Sequence, residues 1–544
     1  MITQIQILVG ATYRCLRVFV ADVMEMKNRP SSHLLIQGVI LISTAIADVA
    51  IITAAHLRGY EPSWLLAIRD LLALALVIAG FVVLIARFRY RGNLIIYTCV
   101  VLLFSIGLIA QFRLFSDPEY TARGDQRAAA RLAKAHAVRA RAIQEGYDQA
   151  KLAYVFGKTE TEELSRIKKT ALDQTTLSEV TVSGRTFIPL LSLAGLLVAF
   201  GLIRREDVLL WIQRHSLLIA LATLAPLMLI IVVFTRGGKF LGGMTPWEPA
   251  KVLFLFSLSG ILVDSYRVLR KTQWGLPPLR FFFPLVITAA FGLVPFFILG
   301  DFGQLLVFGI VYTLLYLVAV KRPGQVLPGL AILVLVFMLI SAVGGIPDRV
   351  KYRYHLWEHT WQPPLENAEW WAPYLERLRA TYGQSGSNLS NEDAWFDQGS
   401  QLIQAIFGIS HGKVAGTGLG LGLPETVPVS DSDFIYAAIA EELGMIGGLS
   451  LLLCVLLLGG AGLREAIQAP DMYTKLLAAG VTAFLVFQAF VNMAGVLKLT
   501  PMTGITLPFV SHGGWSLLTS LTMVGILMGI SHRNAVQSIR MSQS

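Results

Sequence analysis

The sequence predicts an all-α fold, a polytopic bundle of transmembrane helices, on three observations. Hydrophobic residues make up 55% of the 544-residue chain and charged residues only 15%, whereas soluble chains run at about 45–50% and about 25%. The apolar residues gather in runs long enough to cross a bilayer, which takes roughly 20 residues of helix. Basic residues gather in the short stretches between those runs. A soluble core of this size cannot hide so much apolar side chain, so lipid is the solvent for most of it. The net charge of +10 then reads as basic loops facing anionic lipid, with no nucleic acid as partner. Cys15, Cys99 and Cys454 have neither metal-ligand spacing nor the pattern of a disulfide framework. The first long apolar run begins near Leu34, so no cleavable leader is expected.

Taken in order, about twelve runs qualify as spans by length. They centre near Ser43, Ala75, Leu102, Leu196, Leu224, Phe256, Thr288, Val311, Leu335, Leu449, Phe484 and Leu517. The runs at Thr288 and Val311 meet at Asp301 and are either two spans or a re-entrant pair. Basic clusters at Arg14/Arg17/Lys27/Arg29, Arg87/Arg89/Arg91, Arg204/Arg205/Arg214, Arg267/Arg270/Lys271, Lys321/Arg322 and Arg533/Arg540 all fall on one side of such a bundle. The positive-inside rule makes that side cytoplasmic and places both termini there.

Two long polar segments then lie outside. Residues 115–185, rich in Ala, Arg, Lys and Glu, read as a helical hairpin. Residues 346–432 carry Trp357, Trp361, Trp370, Trp371 and Trp395, a density suited to a loop at the lipid–water interface. The glycines of GTGLGLGLP, residues 416–424, favour close approach of backbone to a ligand or a helix.

Charged residues at membrane depth mark candidate function. Glu248 and Lys251, in TPWEPAK, stand three apart and share a helix face, either as an interfacial ion pair or as the floor of a cavity for an anionic substrate. Asp301 either caps the following helix or binds substrate, or does both. In SDSDFIYAAIAEELG, Asp433 can cap the next helix, while Glu441 and Glu442 lie deeper and need partners: they bind a cation or substrate, hold a basic residue, help carry a proton, or form a purely structural network. In KLTPMTGITLPFVSHGGWS, prolines and glycines break an apolar run. Broken backbone at that depth frees N–H groups for anionic oxygens, and Thr503, Thr506, Ser511 and His512 add donors. Asp393 and Asp397 precede Gln401 and Gln404 in WFDQGSQLIQAIFG, where an acid at the membrane surface can reach a lipid headgroup.

These segments together resemble the SEDS family, the peptidoglycan glycosyltransferases of the RodA, FtsW and SpoVE type, RodA most in style. The family's QPSExxK is similar to TPWEPAK here, its QPDxG to GDFG around Asp301, and its GxGLG to GTGLGLG. Its sDFIFAxxaEELG resembles SDFIYAAIAEELG, and its PxTGIPLPFxSyGGSS resembles PMTGITLPFVSHGGWS. The order holds from about Leu94 to Ser531. The resemblance implies polymerisation of lipid II into glycan strands at the outer face of the bacterial cytoplasmic membrane, in elongation or division. It implies a class B penicillin-binding protein as transpeptidase partner. It also implies an essential aspartate in the long outer loop. GSQLIQA occupies the segment that follows it, and the family's Asp-Pro is absent, so Asp393 and Asp397 both remain candidates.

A carboxylate there would take the proton of the attacking sugar hydroxyl. Lys251, oriented N–H groups or a divalent cation (Mg or Mn) would steady the leaving diphosphate; no cofactor is certain. The family core has ten spans. Residues 1–92 would then be a tail plus two extra helices, 93–534 the core with its two outer insertions, and 535–544 a cytoplasmic tail. Two rival readings use the same residues: a flippase or transporter of lipid-linked precursors, which also employs broken helices and buried charge, and a non-catalytic scaffold for a transpeptidase.

Overall fold

A computed structural model describes residues 30–58, 64–117, 184–227, 247–271, 279–299, 301–321, 348–360, 391–427 and 429–543, with isolated positions between them. All regular structure among the described residues is helical. The long elements are α1 (Pro30–Leu57), α2 (Trp64–Ala86), α3 (Ile95–Phe115), α4 (Gly184–Ile203), α5 (Glu206–Arg214), α6 (Ser216–Ile219, continued by a π turn to Leu224), α7 (Trp247–Lys271), α8 (Leu279–Leu299) and α9 (Phe302–Val320). They continue as α10 (Asp348–Glu358), α11 (Asn391–Gly412), α12 (Ile435–Gln468), α13 (Met472–Val496) and α14 (Gly514–Gln543). Exposed leucines, valines and isoleucines on α1, α2, α4 and α12 face outward, as lipid-facing positions do.

Among the described residues, 8 helices are long and apolar enough to cross a membrane, or 9 with the bent pair α4–α5. The remaining runs of the expected twelve are bent, short or outside the described residues. α5 turns 89° away from α4 at Arg204/Arg205 and is amphipathic, so it suits the interface better than the hydrocarbon. The apolar stretches Ser216–Leu227 and Phe283–Phe296 are short, the second lying within a helix that contains Pro284 and Pro295. The run at Leu335 lies outside the described residues, as do nearly all of the hairpin over 115–185 and the N-terminal tail.

The helix pair α4 and α14 packs most closely. Gly525 and Gly529, four residues apart, meet the Leu196 carbonyl and Ile203; a methyl group on Gly529 would come within 2.9 Å of the Ile203 Cβ. Small residues at this spacing let backbones approach in lipid, where van der Waals contact drives helix association.

The basic clusters among the described residues collect at one end of the bundle. The Arg91 N–H donates to His532 Nδ1 at 3.2 Å, Asn93 N–H to Ser531 Oγ at 2.8 Å, and the Arg204 guanidinium lies 5.7 Å from the Phe88 ring centre. Arg270 Nε donates to the Ala319 carbonyl at 2.9 Å. The other end gathers the start of α7, the α8–α9 turn, the start of α12 and the link between α13 and α14. Of the tryptophan-rich loop, Trp371 is fully buried, and Trp357 Nε1 donates to the Lys498 carbonyl at 3.0 Å; Trp361 and Trp370 lie outside the described residues.

α12 contains a break. Gly444 has φ +68° and ψ −167°, a conformation only glycine adopts at low cost. The freed backbone groups are taken up by residues 413–418. Thr417 and Gly418 N–H donate to the carbonyls of Glu441 and Glu442, both at 3.0 Å. Met445 and Ile446 N–H donate to the carbonyls of Lys413 and Val414, at 2.9 and 3.2 Å. Gly416, at φ +86°, lies against the Glu442 carbonyl with no room for a Cβ. The glycine motif is therefore a splice that satisfies a broken helix, as backbone at membrane depth requires.

Candidate functional site

At the end of the bundle opposite the basic clusters, the first turn of α7 presents Glu248 and Lys251 inward, 3% and 1% exposed. Lys251 Nζ donates to Glu248 Oε1 and to Gln488 Oε1 of α13, each at 2.8 Å. Gln488 Nε2 in turn donates to the Thr506 carbonyl at 3.0 Å. One turn along α13, Asn492 Nδ2 donates to the Asp433 carbonyl at 2.9 Å and the Ile505 carbonyl at 2.6 Å. Two amides at i and i+4 thus hold the irregular 500–507 strand of chain and the start of α12 beside Lys251.

Asp301 accepts from Gln304 N–H at 3.2 Å, so the capping role holds. Lys251 and Arg353 both act electrostatically on it. Arg353, on α10, donates through Nη1 to the Thr503 carbonyl at 2.9 Å, and its charge also acts on Asp433. Burial pushes Asp433 up to about 6, with Asp431 and Asp301 adding to the rise and Arg353 opposing it. Glu248 Oε2, Gln304 Oε1 and Asn492 Oδ1 are buried without a hydrogen-bond partner among the described residues.

Ser511 and His512 knit the neighbouring turn. Ser511 Oγ donates to the Ser432 carbonyl at 2.6 Å and accepts from Leu507 N–H at 2.8 Å. His512 Nδ1 lies 3.3 Å from Asp431 Oδ2, and Tyr120 Oη donates to Asp431 Oδ1 at 2.6 Å. Burial alone would raise Asp431, but the bonds from His512 and Tyr120 hold it below the usual carboxylate range.

Glu441 and Glu442 belong to a different network from Lys251, in which they hold basic side chains, one of the roles open to acids at this depth. Arg113 of α3, 1% exposed, donates through Nε to Glu442 Oε1 at 2.9 Å, through Nη1 to Asp117 at 3.2 Å and through Nη2 to Glu425 Oε2 at 2.9 Å. Glu442 Oε2 accepts from Gly420 N–H at 3.1 Å. Glu441 Oε1 accepts from Leu423 N–H at 2.9 Å and lies 3.2 Å from His411 Nδ1. Glu425 Oε1 pairs with Arg58 at 3.3 Å. The protein itself fills these groups. Arg113 and Glu442 also form the polar edge of an otherwise apolar cavity of about 80 Å³ between α3 and α12.

Asp393 and Asp397 fall on α11, where the backbone is helical and the side chains lie outside the described residues. Positions 393, 397, 401 and 404 follow a spacing of four, four and three, which places them on one helix face. Gln401 and Gln404 are half-buried, and Gln404 Oε1 has no hydrogen-bond partner among the described residues. The far end of α11 is fixed on α12, with Gly408 and Gly412 against Glu441 and Ala440. Among the described residues no three His, Cys, Asp or Glu side chains gather to hold a metal ion. The sequence reading missed Arg353, Arg113, Gln488 and Asn492. Arg353 and Arg113 sit in or beside polar loops where arginine is ordinary. Gln488 and Asn492 left a legible signal, two amides one turn apart in an apolar helix.

A family model described as "Cell cycle protein", of the FtsW, RodA and SpoVE type, matches residues 190–536. A Mycobacterium tuberculosis protein named peptidoglycan glycosyltransferase RodA is 45% identical over 134 residues, which is 25% of this chain and 29% of that one; the match thus spans under a third of that relative. A Geobacter metallireducens protein named probable peptidoglycan glycosyltransferase FtsW is 28% identical over 355 residues, 63% of this chain and 83% of that one. The crystal structure of the Thermus thermophilus rod shape determining protein RodA aligns at 19% identity over 63% of this chain and 95% of that one, with a TM-score of 0.35. This multi-pass membrane protein belongs to the FtsW/RodA/SpoVE family of cell cycle proteins.

Proposed function

We propose that the protein is a peptidoglycan glycosyltransferase that polymerises a lipid-linked disaccharide, lipid II, at the outer face of the cytoplasmic membrane. The observation that carries this reading is the gathering of Lys251 and Arg353 with Glu248, Asp301 and Asp433 around buried oxygens that lack partners among the described residues. Lys251 and Arg353 are the cations that the described residues bring to this site. They suit the diphosphate that departs with negative charge. The unpartnered acceptors suit sugar hydroxyls and amides. In this reading Asp393 or Asp397 takes the proton of the attacking hydroxyl as the anomeric C–O bond forms, and Gln401 and Gln404 orient the sugar on the same helix face. A divalent cation, if used, would supply further charge to the diphosphate.

The basic end is then cytoplasmic with both termini, and the site opens outward. A class B penicillin-binding protein supplies cross-linking. A transporter reading drew support from broken helices, but the break in α12 is closed by backbone hydrogen bonds from residues 413–418.

The test uses purified protein in lipid nanodiscs with fluorescent lipid II and moenomycin present to silence contaminating polymerases. Glycan chains should form with the parent. They should fall by about 10²–10⁴-fold, the usual weight of a general base, in Asp393→Ala or Asp397→Ala. Parent-like chains in the double variant contradict the assignment, and no chains with the parent contradict the activity.

A further inference from the structure

The helices α1 and α2 precede the matched family region, residues 190–536, and their packing is too specific for a passive anchor. Along α1, a polar seam faces α3: His33 Nδ1 bonds Thr98 Oγ1 at 2.8 Å, and Thr44 Oγ1 bonds Ser105 Oγ at 2.7 Å. In lipid such bonds fix one helix against another in register. Where the seam ends, Ile51, Ile52, Leu66, Ala67 and Phe112 form a small core of their own, with Leu419 of the glycine loop packed against it. Gly420, at φ +76°, touches α1 so closely that a methyl group there would lie 2.6 Å from the Ala54 Cβ. Just beyond α1, Arg58 donates through Nη1 to Glu425 Oε1 at 3.3 Å and through Nη2 to the Gly422 carbonyl.

The glycine loop is the element that splices α12. Its Thr417 and Gly418 N–H groups hold the Glu441 and Glu442 carbonyls, and the Lys413 and Val414 carbonyls hold Met445 and Ile446. The half of α12 before the break begins beside Asp433, whose carbonyl is held by Asn492. We infer that the N-terminal hairpin is an internal brace for the break in α12, and that Arg58 is a positioning residue that clamps the glycine loop from α1 and so keeps Asp433 in register with the site. Arg58 touches no group of the candidate site; it acts through Gly422, Glu425 and the loop. The activity arm of the test rests on the glycosyltransferase reading; the exchange arm does not.

The test is hydrogen–deuterium exchange on the full chain in lipid nanodiscs, comparing the parent with Arg58→Ala and Arg58→Gln. Peptides covering residues 413–420 and 445–446 should exchange about tenfold faster in both variants, the size expected when a charge-assisted hydrogen bond to a buried loop is lost. Peptides inside α13 should be unchanged. Glycan synthesis should fall in kcat with KM unchanged, because substrate contacts are intact. Loop exchange equal to the parent in Arg58→Gln overturns the brace. Acceleration spread equally through α13 also overturns it, since that is general destabilisation. If Arg58→Ala does not fold, Arg58→Gln decides alone, as it keeps the aliphatic stem. A parent that makes no glycan defeats the polymerase reading and leaves the exchange result to judge the brace.

Discussion

Two groups of buried charge lie toward the same end of this bundle, and they differ in how completely the protein fills them. In the Arg113 network each guanidinium nitrogen has an acceptor, and both oxygens of Glu442 and of Glu425 have donors. Around Lys251, Glu248 Oε2, Gln304 Oε1 and Asn492 Oδ1 are buried without partners among the described residues. Buried polar atoms are normally paired, and each exception calls for an explanation. The filled network is architecture, tying α1, α3 and the glycine loop to the break in α12. The unfilled group is the one we propose a ligand completes.

The comparison breaks most visibly at Glu442. Glu442→Gln takes one of three carboxylates from Arg113, which keeps Asp117 and Glu425, and it weakens the bond from Gly420 N–H, a cost of about 1–3 kcal/mol. Thermal unfolding in nanodiscs should show a clear drop, and glycan yield should fall only as folded protein falls. A parent-like melting temperature would place Glu442 outside the architecture. The paired replacement Glu248→Gln with Lys251→Met should do the reverse. It removes both charges of the pair, so the stability loss should be smaller than for either single change, with Gln488 Oε1 losing a donor and Asp301 keeping Arg353. Loss of the cation proposed to face a diphosphate should cut the rate by about 10²–10³-fold, the scale for one transition-state donor.

The smallest effect sharpens the comparison through pH. Asp433 titrates at about 6 because burial opposes its charge, so it is neutral below that pH and ionised above it. If its ionised form works beside Arg353, the rate rises with a midpoint near 6, and Asp433→Asn flattens that limb. Stability moves the other way. A carboxyl whose pKa is raised by folding binds its proton more tightly in the folded state, so its contribution declines as pH rises from about 4 to about 6. A rate limb that survives Asp433→Asn assigns the titration to another group.

Much of this was legible in the sequence because membrane depth makes charge rare and therefore informative. Glu248 and Lys251 could be paired from their spacing alone, and Asp301 could be read as a cap from the glycines and apolar runs around it. Hydropathy located the helices, but not how many span. The 89° bend at Arg204/Arg205 and the short apolar stretch around the prolines of α8 depend on packing that hydropathy does not record. The depth of Glu441 and Glu442 shows that they need partners, but not which ones. Their partners, Arg113, Gly420, Leu423 and His411, come from elements far apart in the chain. Arg353 was hidden for the opposite reason: in a polar loop one arginine looks like any other, and only its bond to the Thr503 carbonyl singles it out.

The most direct measurement is a structure of this chain with the lipid-linked disaccharide or its polyprenyl diphosphate product bound. The account expects phosphate oxygens within hydrogen-bonding distance of Lys251 Nζ or the Arg353 guanidinium, with the Arg113, Glu425 and Glu442 contacts unchanged. A diphosphate seated on Arg113, with Glu442 or Glu425 displaced to admit it, would contradict the division between the filled network and the working site.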